Sequence, residues 1–205
     1  MKLLVATNNR GKLVEIKRLL NLPDLELVTP LEARLPPDFD VEETGTTFEA
    51  NAVLKAVEYA RASHLHALAD DSGLEVDALN GQPGVYSKRF AGEDKTDLER
   101  INFLLDKLPS DLPEDCLTAR FVASIALANP QGQVIKIETG FCEGYITRQP
   151  RGSNGFGYDP IFVVKILGRT LAELTPTEKD LHSHRGDALT RMQPLLQQYL
   201  LSNVK

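Results

Sequence analysis

The chain has 205 residues, which suits one large α/β domain or two closely packed lobes. Its apolar content of 42% and charged content of 25% are ordinary for a soluble globular protein, and its net charge of −6 argues against a large nucleic-acid footprint. Neither a secretion signal nor an apolar run of the roughly 18 residues that span a membrane is found, so we predict a cytoplasmic protein without nucleic-acid or membrane partners.

The first half of the chain predicts βα units. Residues 3–6 and 25–28 are apolar runs typical of buried strands, and residues 13–20 carry apolar side chains at helical spacing. The three prolines of residues 29–40 indicate an irregular connection. A long helix is expected from about Thr47 to Ser63. Its apolar face comprises Phe48, Ala52, Val53, Ala56, Val57 and Ala60, with Glu49, Asn51, Lys55 and Glu58 around the rest.

A polar turn, Thr7-Asn8-Asn9-Arg10-Gly11-Lys12, separates the first strand from the first helix. A strand, a polar loop and a helix start suit phosphate binding, because the first amides of a helix are unpaired and its dipole favours an anion. The turn lacks the glycine pattern of a Walker loop. The alternative is a capped helix start with a lysine on the surface, and Lys55 alone would also be a surface lysine.

A dense polar stretch follows the long helix. Residues 65–69 predict a buried strand that ends at Asp70 and Asp71, and Ser72 and Gly73 come next. Adjacent side chains of an extended chain point to opposite sides, so only one of the two carboxylates can face a given site. The other must be capped, paired or solvated, because an isolated buried carboxylate is strongly disfavoured. The alternative is that these four residues form a plain turn, since their residue types dominate turns.

The second half predicts a strand meander and two more helices. Residues 74–79 alternate apolar and acidic side chains, as a half-exposed strand does, and residues 96–108 form an amphipathic helix. Further strands are predicted at residues 117–128, 134–139, 141–147 and 161–164, with a turn at 129–132. A terminal helix carries the apolar residues Leu189, Met192, Leu195, Leu196, Tyr199 and Leu200. Together these elements predict an α/β fold with a mixed sheet and flanking helices.

Two polar segments of the second half contain residues that could bind a ligand. Residues 152–160 place Phe156 between two glycines, where its ring can stack on a base, although most phenylalanines are core residues. Residues 178–186 place lysine, histidine and arginine just before the terminal helix. This second segment either closes over a ligand or is a solvated helix start.

Five of these motifs, in this order, closely resemble those of the inosine and xanthosine triphosphate pyrophosphatase family, the house-cleaning enzymes of the nucleotide pool. They span nearly the whole chain and are Thr7-Asn8-Asn9-Arg10-Gly11-Lys12, Phe48-Glu49-Ala50-Asn51-Ala52, Ala69-Asp70-Asp71-Ser72-Gly73-Leu74, Gly155-Phe156-Gly157-Tyr158-Asp159-Pro160 and Ser183-His184-Arg185-Gly186. One departure is His182, where the family tends to carry an apolar residue.

The resemblance implies a single pyrophosphatase domain over residues 1–205, built as an elongated mixed sheet with two lobes around a central nucleotide cleft. It also implies a homodimer, Mg²⁺ as cofactor, and hydrolysis of ITP, dITP and XTP to the monophosphate and pyrophosphate. Asp71 would accept a proton and bind the metal, with Glu42 or Glu43 as a second metal ligand. Mg²⁺ commonly takes one or two carboxylates together with substrate phosphates and water, which suits this set.

The same resemblance implies the residues that bind the substrate. The phosphates are expected on Thr7, Asn8, Asn9, Arg10, Gly11, Lys12 and Ser72, and the base side on Phe156, Gly157, Tyr158, Asp159, Lys179, His184 and Arg185. Lys12 and Lys55 are suitable catalytic cations, because a lysine ammonium is a compact point charge that stabilises the leaving pyrophosphate. A donor such as Arg185 or protonated His184 satisfies the 6-oxo group of hypoxanthine or xanthine and is left unpaired by adenine.

Two alternative functions remain open from the sequence. One is a related pyrophosphatase that removes modified pyrimidine or ordinary nucleotides with the same phosphate machinery. The other is a catalytically silent nucleotide-binding regulator, which has no chemical need for the intact carboxylates and Lys55.

Overall fold

Seven strands form one mixed sheet in the computed structural model, which describes residues 1–202 and the side chains of residues 1–199. The strands are β1 (Lys2–Val5), β2 (Glu26–Val28), β3 (His66–Val76), β4 (Thr118–Ala128), β5 (Val134–Ile146), β6 (Phe162–Val164) and β7 (Arg169–Thr170). Their order in the sheet is β2-β1-β3-β4-β5-β6-β7. β1 pairs in parallel with β2 and β3, with Leu4 opposite Val28 and Ala67, whereas β6 pairs antiparallel with β5 and β7. The predicted mixed α/β fold is confirmed.

The α-helices within residues 1–202 are α1 (Arg10–Leu19), α2 (Phe48–Ser63), α3 (Asp97–Lys107), α4 (Pro176–His182) and α5 (His184–Ser202). The predicted bounds of α2 and α3 are right to within one residue at each end, because cap residues mark where these helices begin. Thr47 accepts the amide of Ala50 at the start of α2, and Thr96 forms a capping box with Glu99 at the start of α3. Across the described part of the chain, no helix combines the length and apolar character needed to cross a membrane.

The chain divides into two compact units. Unit 1 comprises residues 1–71, 123–140 and the chain from residue 187, and unit 2 comprises residues 72–122 and 141–186. The predicted close packing of two lobes, the elongated outline and the nucleotide cleft stay predictions.

Each unit has its own apolar core. In unit 1 the alternation of side chains along β1 sends Leu4 toward α2 and Leu3 toward α1 and α5, so both faces of the strand are buried. In unit 2 the end of β3, α3 and β6 pack together through Leu74, Leu104 and Phe162.

The prediction that a strand ends at Asp70 is wrong. β3 continues through the Asp-Asp-Ser-Gly sequence to Val76, so the alternative of a plain turn is wrong as well. The separate strand expected at residues 74–79 is the end of β3 followed by a single 3-10 turn, Asp77–Leu79. The strand is not interrupted, because the two carboxylates that it buries are both neutralised by lysines.

Two further predictions need correction. The strands expected at residues 134–139 and 141–147 are one continuous strand, β5. The polar segment at residues 178–186 is largely helical, since α4 occupies its first part and α5 begins at His184. The apolar position predicted at Leu200 lies outside the described side chains.

Gly144 in β5 should not tolerate a larger residue. A Cβ atom there would lie 2.2 Å from the backbone oxygen of Val163 and 2.6 Å from a ring carbon of Phe162. We expect Gly144→Ala to lower the free energy of unfolding by about 1–3 kcal/mol, the usual cost of overpacking, in urea or thermal unfolding. Val134→Ala, at the exposed start of the same strand, is the control and should cost only about 0.5 kcal/mol. Equal losses in the two variants would contradict the prediction.

Candidate functional site

The two carboxylates of β3 are both buried and both paired. The Asp70 side chain is fully buried and its Oδ1 lies 2.6 Å from Lys12 Nζ. Asp71 Oδ1 lies 3.1 Å from Lys55 Nζ. The expected need for a partner on each carboxylate is therefore met by two lysines from different helices, α1 and α2.

Lys55 connects two acidic segments of unit 1, the one that carries Glu43 and strand β3. Its ammonium donates to Glu43 Oε1 at 2.7 Å, to the Asp70 carbonyl oxygen at 2.9 Å and to Asp71 Oδ1 at 3.1 Å. The side chain is only 10% exposed, so the alternative of a surface lysine is wrong. Burial alone would lower the pKa of Lys55, but the carboxylates of Asp71 and Glu43 outweigh burial and raise it. Lys55 therefore stays a cation.

Asp71 is a more basic carboxylate than an exposed one. Burial raises its pKa, and the nearby Glu43 carboxylate acts in the same direction, although Lys55 and Lys12 oppose them. A carboxylate whose pKa is raised is better suited to accept a proton near neutral pH.

Asn51, which we expected away from the apolar face of α2, is fully buried beside Asp71. Its Nδ2 donates to Asp71 Oδ2 at 3.2 Å, and its Oδ1 accepts the amide of Gly45 at 2.7 Å. Asn51 and Lys55 were both placed off the apolar face of α2, and both are buried. The signal that sequence reasoning missed is their spacing of four residues, which places both on one helix face.

The polar turn after β1 is shorter than predicted, because α1 already begins at Arg10 and so contains Gly11 in its first turn. Asn9 caps the helix by accepting the amide of Lys12 at 3.1 Å, and Thr7 Oγ1 accepts the amide of Asn9 at 3.1 Å. Asn8 Nδ2 donates to the carbonyl of Phe39. The alternative to a phosphate site was a capped helix start with a surface lysine. The helix start is capped, but Lys12 points to Asp70 and does not lie on the surface.

We call Lys12, Glu43, Lys55, Asp70 and Asp71 the lysine–carboxylate cluster of unit 1. It brings three carboxylates and two ammonium groups together. Within residues 1–202 no three His, Cys, Asp or Glu side chains are grouped closely enough to hold a metal ion by themselves. Mg²⁺ needs only one or two carboxylates when substrate phosphates supply further oxygens. Glu43 and Asp71 fit that requirement, whereas Glu42 is exposed.

Phe156 lies at the centre of a second group of polar side chains, in unit 2. Asp159 Oδ2 accepts the amide of Phe156 at 2.9 Å and the Lys179 ammonium at 2.5 Å. Lys179 Nζ lies 4.9 Å from the centre of the Phe156 ring, and the guanidinium carbon of Arg185 lies 5.9 Å from it. The ring is half-buried, and both cations lie near its face, where the ring attracts them. We call Phe156, Asp159, Lys179 and Arg185 the Phe156 cluster.

His184 and Arg185 belong to the first turn of α5 and are buried, so the alternative of a solvated helix start is wrong. Arg185 Nη2 donates to Ser72 Oγ at 2.9 Å. The His184 ring stacks on Phe121, with centres 4.8 Å apart. Gly186 is needed at this turn, because a Cβ there would lie 1.8 Å from the carbonyl oxygen of Asp180.

Three residues of unit 2 make contacts that the sequence analysis did not predict. Ser72, expected on a phosphate, accepts a hydrogen bond from Arg185. Tyr158, expected on the base side, packs its ring into the apolar core and donates its hydroxyl to the carbonyl of Ser87, with burial raising its pKa to about 12. Asp97, which no motif indicated, accepts the amide of Gly157 at 2.7 Å and so helps to fix the loop.

The chain matches a known protein family. Residues 3–195 match the Ham1 family, and the chain belongs to it, which confirms the resemblance seen in the sequence. A dITP/XTP pyrophosphatase from Exiguobacterium sibiricum is 48% identical over 200 residues, which cover 98% of this chain and 99% of that protein. The dITP/XTP pyrophosphatase of Bacillus subtilis is 44% identical over 194 residues, or 95% and 96% of the two chains.

Solved structures of similar proteins have the same fold. A HAM1 protein from Coxiella burnetii has a TM-score of 0.85 at 44% identity, covering 97% of this chain and 99% of its own. The Ham1 protein of Staphylococcus aureus has a TM-score of 0.83 at 43% identity, covering 97% and 100%.

The free energies of unfolding of variants at Gly155 and Gly157 test how rigidly Asp159 is held in the Phe156 cluster. Both have positive φ, +77° and +62°, so alanine costs roughly 1–2 kcal/mol of backbone strain at either position. A Cβ at 155 would also lie 1.9 Å from Asp159 Oδ2, whereas a Cβ at 157 has no heavy atom within 4 Å. We expect Gly155→Ala to cost about 1–3 kcal/mol more than Gly157→Ala in urea unfolding. Equal costs would mean that the Asp159–Lys179 pair adapts freely.

Proposed function

We propose that this chain hydrolyses the deaminated purine nucleoside triphosphates ITP, dITP and XTP to the monophosphate and pyrophosphate, and so cleanses the nucleotide pool. The observation that carries the proposal is Asp71, a buried carboxylate with a raised pKa that is held by Lys55 and Asn51. Relatives also support the proposal, because proteins that align with nearly the whole chain bear the name dITP/XTP pyrophosphatase.

The lysine–carboxylate cluster would serve the phosphates. Glu43 and Asp71 would hold Mg²⁺, which when bound neutralises charge on phosphate oxygens. Asp71 accepts the proton of a water molecule as the water oxygen forms a bond to the α-phosphorus and the bond to the leaving pyrophosphate breaks. Lys12 and Lys55 offset the negative charge that collects on the leaving group. The start of α1 adds the positive end of the helix dipole, which favours the same negative charge.

The Phe156 cluster would bind the base. Stacking on Phe156 is indifferent to which base is present, whereas Arg185 has only donors to offer. An oxo-purine presents an acceptor to that guanidinium at its 6-position, but adenine presents an amino donor. A mismatch of this kind leaves buried polar groups unpaired and lowers kcat/KM for the wrong base.

A homodimer and a cytoplasmic location complete the proposal. Both rest on the family resemblance, and static light scattering of the purified protein is a direct measurement of the first.

The activity is tested with a panel of ITP, dITP, XTP, GTP, ATP and dUTP, with Mg²⁺ or with excess chelator. We expect pyrophosphate, rather than phosphate, from ITP, dITP and XTP, and no turnover in chelator. Asp71→Asn should lower kcat by roughly 100-fold or more, since it removes the base and keeps the shape. Glu43→Gln should lower kcat more than Glu42→Gln, its exposed matched control. Release of phosphate alone, or of pyrophosphate only from dUTP or ATP, would refute the proposed function.

Base choice is tested by two substitutions in the Phe156 cluster. Phe156→Ala should weaken all triphosphates alike, by roughly 1–3 kcal/mol in kcat/KM. Arg185→Met keeps the bulk of the side chain and removes its donors, so kcat/KM should fall more for ITP than for ATP. If both substrates lose the same factor in Arg185→Met, base choice does not depend on Arg185.

A further inference from the structure

Asn51 makes two hydrogen bonds from one fully buried amide. Its Nδ2 donates to Asp71 Oδ2 at 3.2 Å, while its Oδ1 accepts the amide of Gly45 at 2.7 Å. A planar side-chain amide carries a donor and an acceptor in fixed relation, so the two bonds fix the distance between Gly45 and Asp71.

Lys55, one helical turn further along α2, bonds to the same two segments. It donates to Glu43 Oε1 at 2.7 Å and to Asp71 Oδ1 at 3.1 Å. Both oxygens of the Asp71 carboxylate are therefore held from α2, one by a cation and one by a neutral amide. The segment that carries Glu43 is held at two points, one on a side chain and one on the backbone.

The backbone bond depends on close approach. A Cβ at Gly45 would lie 2.6 Å from Asn51 Oδ1 and 2.8 Å from the Cβ of Ala50. Residues 40–47 contain neither helix nor strand, so side-chain contacts of this kind decide where Glu43 lies.

We propose that Asn51 is a positioning residue for the hydrolysis: it orients the Asp71 carboxylate and holds the Gly45 backbone so that Glu43 stays beside it. The inference rests on the proposed function, because it assigns Asn51 to the same site. Asn51 touches neither the water nor the phosphate in this account, and it acts through Asp71 and Glu43. Loss of a residue that orients catalytic ligands in this way typically lowers activity roughly 10–100-fold.

The competing explanation is that Asn51 only stabilises the start of α2. Thr47 already performs that role, since its hydroxyl caps the helix through the amide of Ala50 at 3.1 Å. Thr47→Ala is therefore the matched control: it weakens the same helix end and leaves both bonds of Asn51 intact.

The experiment compares Asn51→Ala, the volume-matched Asn51→Leu, and Thr47→Ala in the full chain with ITP and Mg²⁺. Both Asn51 variants should lose roughly 10–100-fold in kcat with KM within about 3-fold of the parent, because the phosphate and base contacts remain. Thr47→Ala should lower the unfolding temperature and keep the parent kcat. A parent-like kcat in both Asn51 variants, or an equal loss in Thr47→Ala, overturns the proposal.

A second measurement does not depend on turnover. Hydrogen exchange at the Gly45 amide should be faster in both Asn51 variants than in the parent and unchanged in Thr47→Ala. Unchanged protection in the Asn51 variants overturns the proposal even where kcat falls. If the parent protein releases no pyrophosphate from any triphosphate, the proposed function fails, whereas the exchange result still decides whether Asn51 holds the segment.

Gly45→Ala reaches the same contact from the other side. It pushes the segment away from Asn51 without altering Asn51 or Asp71. The double variant Gly45→Ala/Asn51→Ala should lose no more kcat than the worse single variant, because both remove one contact. Losses that multiply in the double variant overturn the proposed coupling.

Discussion

Two neighbouring carboxylates buried in the middle of a strand are the constraint on which unit 1 depends. Burial of an isolated carboxylate is strongly unfavourable, and Asp70 and Asp71 escape that cost because each has an ammonium group within 3.1 Å. Each lysine is needed for stability, because removing one partner of a buried ion pair generally lowers the free energy of unfolding by about 3–5 kcal/mol. This requirement explains why α1 and α2 both direct a lysine inward, where a helix surface would ordinarily keep it in water.

In unit 2, the Phe156 cluster contains a buried lysine whose partner carboxylate also holds a loop. Lys179 is buried and is neutralised by Asp159, which at the same time holds the amide of Phe156. The carboxylate thus sets the loop conformation and the position of the cation with one oxygen atom. Gly155 is required because any Cβ there would collide with that oxygen. Glycine is therefore needed at position 155 for two reasons: it leaves room for the Asp159 oxygen, and it tolerates the positive φ.

Local patterns predicted most of the elements, whereas partners distant in sequence decided the rest. Helical spacing and cap residues located α2 and α3, because both signals lie within a few residues. The continuation of β3 through its two aspartates was missed, since turn propensity is local and the lysines that neutralise these aspartates are not. The burial of Asn51 was missed for the same reason. The sequence analysis named every member of the lysine–carboxylate cluster, and their role in catalysis stays a prediction. It did not show that Glu43 rather than Glu42 lies beside Lys55, or that Tyr158 is a core residue.

The lysine–carboxylate cluster also implies an order of assembly during folding. Lys55 and Asp71 are 16 residues apart, whereas Lys12 and Asp70 are 58 residues apart. The entropy lost on closing a loop grows with its length, and contacts between distant residues form more slowly. The α2–β3 half of the cluster can therefore form as a local unit, while the Lys12–Asp70 pair forms only when β1 has joined β3. The parallel pairing of β1 with β3 is thus the step that completes the cluster.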